Sequence, residues 1–308
     1  MRFTADAYYK LTTDLLNSVN LPLSSGYGST TKNIGKMSNR GLEFLLEGEI
    51  ISTKDWSWTA SANLALNRNR VEELAGGDDI FGSNINMVLV SGTVNLIREK
   101  EPMGVFYVFK SDGYTEDGNL KFVDVDGNKT LNNDDRFILG NPHPKFTGGF
   151  NTEVSWKGLS FSMFWSGSYG NDVYNIARAQ YMDYGMGLNM LKEVYYSHWD
   201  QNNSAEQNAA AKYPKISANR NIQQSDLFIE DGSYLRLKNI QLGYAIPFKW
   251  DWIKRAFVYV SGQNLLTLTK YSGWDPEVNS YGSDTNIAID WHGYPMTKTV
   301  SFGVNLTF

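Results

Sequence analysis

The last ten residues, 299–308, read TVSFGVNLTF, and their pattern decides the fold. Val300, Phe302, Val304, Leu306 and Phe308 alternate with Thr299, Ser301, Gly303, Asn305 and Thr307. A two-residue period puts all the apolar side chains on one face of a β-strand and the polar ones on the other. The same alternation recurs upstream. Phe3, Ala5, Ala7, Tyr9 and Leu11 share a face, as do Leu42, Phe44, Leu46 and Ile50. Trp58, Ala60, Ala62, Leu64 and Leu66 repeat it, then Phe146, Phe150, Val154 and Trp156, then Leu159, Phe161, Met163 and Trp165. In SYLRLKNIQLGYAI (233–246) the apolar phase slips between Leu237 and Ile240, which predicts a β-bulge. Residues 256–266 are apolar on both faces at their start, and residues 86–97 and 103–114 are also read as strands. About ten strands follow.

The connections between these strands alternate in length. Those near 52–55, 98–102, 157–158 and 247–255 are short, whereas those near 13–38, 70–88, 113–143, 170–231 and 269–293 are long. In an antiparallel sheet every long loop then lies at one end. Short periplasmic turns and long extracellular loops are the layout of outer-membrane barrels. Trp56, Trp58, Trp156, Trp250 and Trp252 all sit beside short turns, as an aromatic girdle at the membrane interface requires. The last strand would present its apolar residues to lipid and end on Phe308 at the periplasmic rim.

Composition agrees with a β-rich chain and narrows the chemistry. Among 308 residues there are 18 Tyr, 16 Phe, 9 Trp and 28 Gly, with only 8 Pro. A net charge of −5 leaves no basic footprint for nucleic acid. The absence of cysteine excludes disulfides and thiolate zinc sites. No apolar run approaches the roughly 18 residues of a membrane helix, and charges at Arg2, Asp6 and Lys10 break up the N-terminal segment as a signal peptide. His143, His198 and His292 are scattered through loops with no catalytic or metal-ligand spacing, so the chain is not read as an enzyme.

One loop carries ligand-type spacing. In DVDGNKTLNNDD, Asp124, Asp126, Asn128 and Asp135 occupy positions 1, 3, 5 and 12 of a calcium loop, with the Thr130 carbonyl at position 7. Lys129 stands at position 6, where glycine normally makes the sharp turn; an acidic surface turn held by Asx hydrogen bonds is the competing reading. Tyr181, Tyr184, Tyr195, Tyr196 and Trp199 in the longest loop, with Trp274, Tyr281 and Trp291 in the last one, could stack on sugar rings, contact a partner, or pack the loops onto themselves.

Long stretches resemble a known family. VYVSGQNLLTLTKYSGWDPEVNS is similar to the penultimate-strand signature of the SusC/RagA-like TonB-dependent outer-membrane transporters of Bacteroidota. The matching residues are Gly262, Asn264, Leu265, Tyr271, Gly273, Asp275, Pro276 and Glu277. FIEDGSYLRLKNIQLGYAIP resembles the preceding strand through Asp231, Gly232, Ser233, Arg236, Lys238, Asn239, Gly243 and Tyr244. Residues 37–69 and 139–175 match as well. The resemblance implies the C-terminal portion of a 22-stranded barrel over residues 1–308, with plug, TonB box and signal peptide absent. It also implies import of oligosaccharides or peptides, a SusD-like lipoprotein as lid, TonB as energy source, and a last strand (Val300 to Phe308) read by the barrel-assembly machinery. Alone, the segment would not transport. A soluble, secreted, calcium-dependent carbohydrate-binding module is the alternative; a need for detergent separates the two.

Overall fold

The computed structural model describes residues 1–20, 29–74, 78–86, 91–182, 189–216, 222–247, 252–280 and 285–308. Eight long strands form one antiparallel sheet in chain order: β1 (Arg2–Asn20), β2 (Ser29–Ser52), β3 (Trp56–Glu73), β4 (Phe146–Trp156), β5 (Leu159–Tyr169), β6 (Tyr234–Ile246), β7 (Arg255–Thr269) and β8 (Thr299–Thr307). Strands β1 and β8 are its edges, and the sheet does not close on itself. Strands β4 and β5 have 11 residues each, the length that crosses a bilayer at a barrel's tilt.

Register keeps the alternation in phase across every strand. Phe3 faces Leu46, and Ala5 faces Phe44. Phe44 faces Leu64, and Ala62 faces Phe150. Phe150 faces Trp165, Trp165 faces Leu237, and Leu237 faces Leu266. Val258 faces Val304 and Val260 faces Phe302. The phase slip in 233–246 is a bulge: register shifts between Phe164 and Trp165 against β5, and between Leu237 and Asn239 against β7. One apolar face therefore spans the whole sheet, and it is exposed. Phe302 is 83% accessible and Phe3 65%, with Leu42, Leu46, Phe150, Leu242 and Val304 also open. A water-soluble sandwich would bury such a face against a second sheet; hydrocarbon is the solvent that suits it. One polar group on this face is satisfied locally. Thr152 Oγ1 accepts a 2.9 Å hydrogen bond from Trp58 Nε1 and donates to the Thr59 carbonyl at 3.2 Å.

The core lies elsewhere, in the long connections. Buried apolar residues come from 74–145 (Ile85, Val94, Phe106, Val108), from 170–233 (Tyr174, Ile176, Met182, Phe228) and from 270–298 (Ala288, Ile289), and they pack into one cluster. These connections contain short strands. Arg136–Gly140, Val105–Phe109, Asn95–Ile97 and Ile80–Phe81 form a four-stranded sheet. Ile229–Asp231, Asp172–Asn175 and Ile289–Asp290 form a three-stranded one that ties the second and third connections together. Among the described residues the resulting cap also holds three short helices, α1 (Ile176–Tyr181), α2 (Lys192–Ser197) and α3 (Ala205–Ala209). Among the described residues no helix is long and apolar enough to cross a membrane, which says nothing about strands.

Among the described residues the wall has eight strands where ten were expected. Residues 95–97 and 105–109 belong to the cap sheet, and the turn at 98–102 lies within one long connection. The reason is visible in burial: Val105–Phe109 is buried at every position, so it has no lipid-facing side. Met87 to Val90, in the other expected strand (86–97), lie outside the described residues. Strands β1 and β2 run longer than expected, reaching Asn20 and starting at Ser29. The asymmetry between the two ends survives in the three longest connections, but the 21–28 connection is no longer than the 247–254 turn. The turns at 53–55, 157–158 and 247–254 lie at one end, and the 21–28, 74–145, 170–233 and 270–298 connections at the other.

On the inner face, the hydroxyl ends of tyrosine rings reach over glycines of the neighbouring strand. Tyr8 covers Gly41, and Tyr259 covers Gly303 on the edge strand β8; a Cβ at Gly303 would fall 2.2 Å from the Tyr259 ring. The ring shields backbone that has no side chain of its own. Gly303→Ala should therefore lower the temperature at which the folded barrel loses its heat-resistant gel migration, by a destabilisation of about 1–3 kcal/mol. Combining it with Tyr259→Ala should cost less than the sum of the two changes.

Candidate functional site

A buried ion-pair cluster fastens the last long connection to the wall. Arg236, on the inner face of β6, is 2% exposed. Its Nη2 meets Asp275 Oδ1 at 2.5 Å and its Nη1 meets Glu277 Oε2 at 2.6 Å, while Nε donates to Thr267 Oγ1 at 3.0 Å. Lys238 Nζ and Tyr234 OH also reach Glu277, each at 2.7 Å. Asp275 accepts the backbone N–H groups of Glu277 and Met296, both at 2.9 Å. Burial pushes the Asp275 carboxyl up, but the Arg236 hydrogen bond and these two amides outweigh it and hold the group below the ordinary range. Glu277 is likewise held low against burial, chiefly by Lys238 and Tyr234. A guanidinium taken out of water needs such paired oxygens.

Above this clamp the cap encloses a cavity of about 130 Å³. Arg178, Tyr181, Trp274, Asp290 and His292 line it. The Asn175 side chain caps α1 by accepting the Arg178 amide, which sets the helix at the cavity wall. Arg178 pairs with Glu230 at 2.9 Å and Glu193 at 2.5 Å and touches the Tyr213 hydroxyl, while its Nε has no hydrogen-bond partner among the described residues. Ser272 donates from both its amide and its hydroxyl to Glu230 at 2.8 Å, joining the second and third connections. Tyr271 OH donates to Asp290 Oδ2 at 2.6 Å, and His292 Nε2 lies 2.5 Å from Gln180 Oε1. Both Nη atoms of Arg178 are taken by carboxylates, so what the cavity offers is aromatic surface with polar groups beside it, which suits a sugar face or a neutral peptide group.

The expected contact residues divide. Tyr181 and Trp274 meet at this cavity, and Trp274 is 76% exposed. Trp291 packs behind it on the cap core. Tyr195 and Tyr196 stand on α2, both open to solvent, with ring centroids 5.2 Å apart. The Trp199 ring is packed on Gly118. Tyr184, Tyr281 and Trp250 lie outside the described residues. At the short-turn end Trp56 stacks on Trp156 at 5.5 Å and Trp252 on Phe308 at 6.3 Å, with Trp58 one step further in. Arg178 and Asp290 had no motif to announce them; Arg236, Asp275 and Glu277 stood out in the family-like stretches, without a role.

The acidic loop is ordered from within. Carboxylate oxygens of Asp124, Asp126 and Asp135 lie within 4.8 Å of one another, with Asp135 buried. Asp124 accepts the amides of Lys129 and Gly127 at 2.8 Å, and the Lys129 amide first among its contacts holds its carboxyl below the ordinary value. Asp135 accepts the amides of Val125 and Asn132, and the Asn128 side chain accepts that of Thr130. Lys129 has φ +63°, the left-handed conformation that glycine would take at that position. Three convergent carboxylates suit a hard cation such as Ca²⁺.

No family model matches the chain. Individual relatives do. It is 31% identical to TonB-dependent receptor P3 of Formosa agariphila over 332 residues, covering all of this chain and 32% of that protein. It is 31% identical to TonB-dependent receptor SusC of Bacteroides thetaiotaomicron, covering 98% of this chain and 30% of that protein. The solved RagAB peptide transporter superposes with a TM-score of 0.79 at 29% identity, over all of this chain and 34% of that one. The chain belongs to the SusC/RagA-like TonB-dependent receptors. It spans about a third of the length of the relatives it matches. The Arg236–Asp275 clamp thus joins two stretches by which this SusC/RagA-like chain resembles its family.

The clamp makes a pH prediction. Because the Asp275 pKa is depressed on folding, its contribution is complete above the unfolded value of about 3.9 and is lost as pH falls through the folded value. Segment 270–298 should stay docked at neutral pH and loosen only below about pH 4. Asp275→Asn should cost about 3 kcal/mol or more at neutral pH, read as at least 100-fold faster amide exchange in 270–298, and should flatten the acid response. Unchanged exchange would remove the clamp from the account.

Proposed function

We propose that this chain is part of the wall and cap of an outer-membrane importer for oligosaccharides or peptides. The observation that supports this best is the inverted burial: eight strands expose one continuous apolar face, while the packed core lies in the connections at one end. An open sheet edge in hydrocarbon leaves backbone groups unpaired, so β1 and β8 find partner strands in a larger closed barrel, of which 1–308 is the C-terminal portion. Trp56, Trp58, Trp156 and Trp252 anchor the periplasmic interface, and the alternation from Val300 to Phe308 is the signal for barrel assembly. The cap faces outward, and its open aromatics (Trp274, Tyr195 and Tyr196) meet substrate or a SusD-like lid lipoprotein. Energy comes from TonB through parts of the whole protein other than this wall. The RagAB peptide transporter, similar over the whole of this chain, supports the peptide reading; the oligosaccharide reading rests on the family resemblance of the sequence.

An antibody to 170–233, used on the outer-membrane fraction of the source cells, should detect a product several times larger than 308 residues. A membrane-embedded product of this chain's own size would end the larger-barrel reading. In the intact protein, Arg178→Gln with Trp274→Ala should cut TonB-dependent uptake at least tenfold while the barrel stays assembled. Uptake at the parental rate would take the cavity out of the substrate path.

The acidic loop is proposed as a calcium site held by Asp124, Asp126, Asn128, the Thr130 carbonyl and Asp135. Calcium should raise the unfolding temperature of the intact barrel, and Asp126→Ala should abolish the rise. Lys129→Gly should stabilise the loop by about 1 kcal/mol, by relieving the left-handed backbone.

A further inference from the structure

The outward face of β2 and β3 changes character abruptly at its loop end. Along β3 the outward positions are Trp56, Trp58, Ala60, Ala62, Leu64 and Leu66, and then Arg68 and Arg70. Along β2 they are Phe44, Leu42 and then Arg40. Arg40 and Arg68 are direct cross-strand partners, and both are exposed. Like charges directly opposite each other on a sheet are destabilising, so the pair calls for an anion. Among the described residues Arg40 makes no ion pair or hydrogen bond, and Arg68 donates only to the carbonyls of Asn67 and Lys145, both at 2.9 Å. Arg70 differs: its field falls on Glu72, which also accepts from Ser38 and lies 3.7 Å from Lys100. The unmatched charge is therefore that of Arg40 and Arg68, with the exposed ring of Tyr9 opposite Arg40.

Position identifies the anion. Twelve residues of strand from Trp56 to Arg68 span about 40 Å at roughly 3.3 Å each. At a barrel tilt of about 40° that is about 30 Å along the membrane normal, against an apolar band of about 25 Å. The arginines stand at the interface opposite the tryptophans, directly above Leu42, Leu66, Phe44 and Leu64. We propose that Arg40 and Arg68 bind the phosphate headgroup of a membrane lipid in the leaflet at the loop end, with its acyl chains lying on that apolar strip. The guanidinium forks match phosphate oxygens two at a time. The proposal rests on the membrane reading above and adds a specific lipid site to it.

The test uses the intact barrel protein in mild detergent, with lipid retention read by native mass spectrometry and folding read by heat-resistant gel migration. The probes are phosphorylated lipid A, its dephosphorylated form and inorganic phosphate. The parental protein should retain the phosphorylated lipid at least tenfold better than the dephosphorylated one, and Arg40→Gln with Arg68→Gln should abolish that preference. If the double variant fails to fold, Arg40→Gln alone removes a side chain with no hydrogen bond among the described residues, and it should still weaken retention several-fold. Equal retention of both lipids by the parental protein, or an undiminished preference in the folded variant, would overturn the proposal. So would displacement of the lipid by millimolar inorganic phosphate, which would mark a free-phosphate site. A protein that stays monodisperse without detergent would instead defeat the membrane reading beneath it.

Discussion

Every strand of the wall pairs with its sequence neighbour at a register that keeps one apolar face continuous, and the rest of the molecule depends on that phase. A slip of one residue would turn Phe44, Leu64, Phe150 or Trp165 inward and bring Glu43, Asn63 or Asn151 to the outside. In hydrocarbon the ladder also satisfies the backbone, which has no water to bond. The bulge around Lys238 shows how strictly the phase is kept. The chain inserts a residue so that Leu237 and Leu235 regain the face already held by Leu242 and Ile240.

Given such a wall, a hydrophobic core has to form somewhere else, and the three long connections supply it. Their buried residues come from segments far apart in sequence, and the parallel pairing of Tyr174 with Ile289 stitches two of them together. Side-chain to backbone bonds finish the join: Asn95 Nδ2 donates to the Ile287 carbonyl, and Asn286 Oδ1 accepts the Ser83 amide. The cap is thus one packed body, and the cavity beside Arg178 is a feature of that packing. Arg236 carries the connection between cap and wall. Its charge is tolerated at 2% exposure because Asp275 and Thr267 accept its hydrogen bonds and Glu277 pairs with it as a second counter-ion.

Charge on the two faces follows the same logic. Inward positions carry Glu43, Asn63, Asn151 and Glu153, which a wet interior accepts, whereas outward positions, apart from the hydrogen-bonded Thr152, carry no polar side chain until the strands leave the membrane band. The boundary at Leu66 and Arg68 is a solvent boundary written into one strand. The pairing of two arginines there makes it a candidate binding surface as well as an edge.

Alternation by itself determined the strands of the wall, their faces, the bulge near Leu237 and the end at which the long connections lie. Side-chain period is a local property, so it is legible in any stretch that has two different solvents on its two sides. Residues 105–109 were misread as wall for the same reason: they are buried on both sides, and a uniformly apolar run does not say which elements bury it. Spacing also marked Asp124, Asp126 and Asp135 as neighbours, because one short loop holds all three. Only the tertiary structure decided that Arg236 meets Asp275, that Arg178 and Trp274 share a cavity, and that Arg40 faces Arg68. Each of these pairs is separated by a connection or a hairpin, and what brings its members together is register and loop packing, which no local pattern encodes.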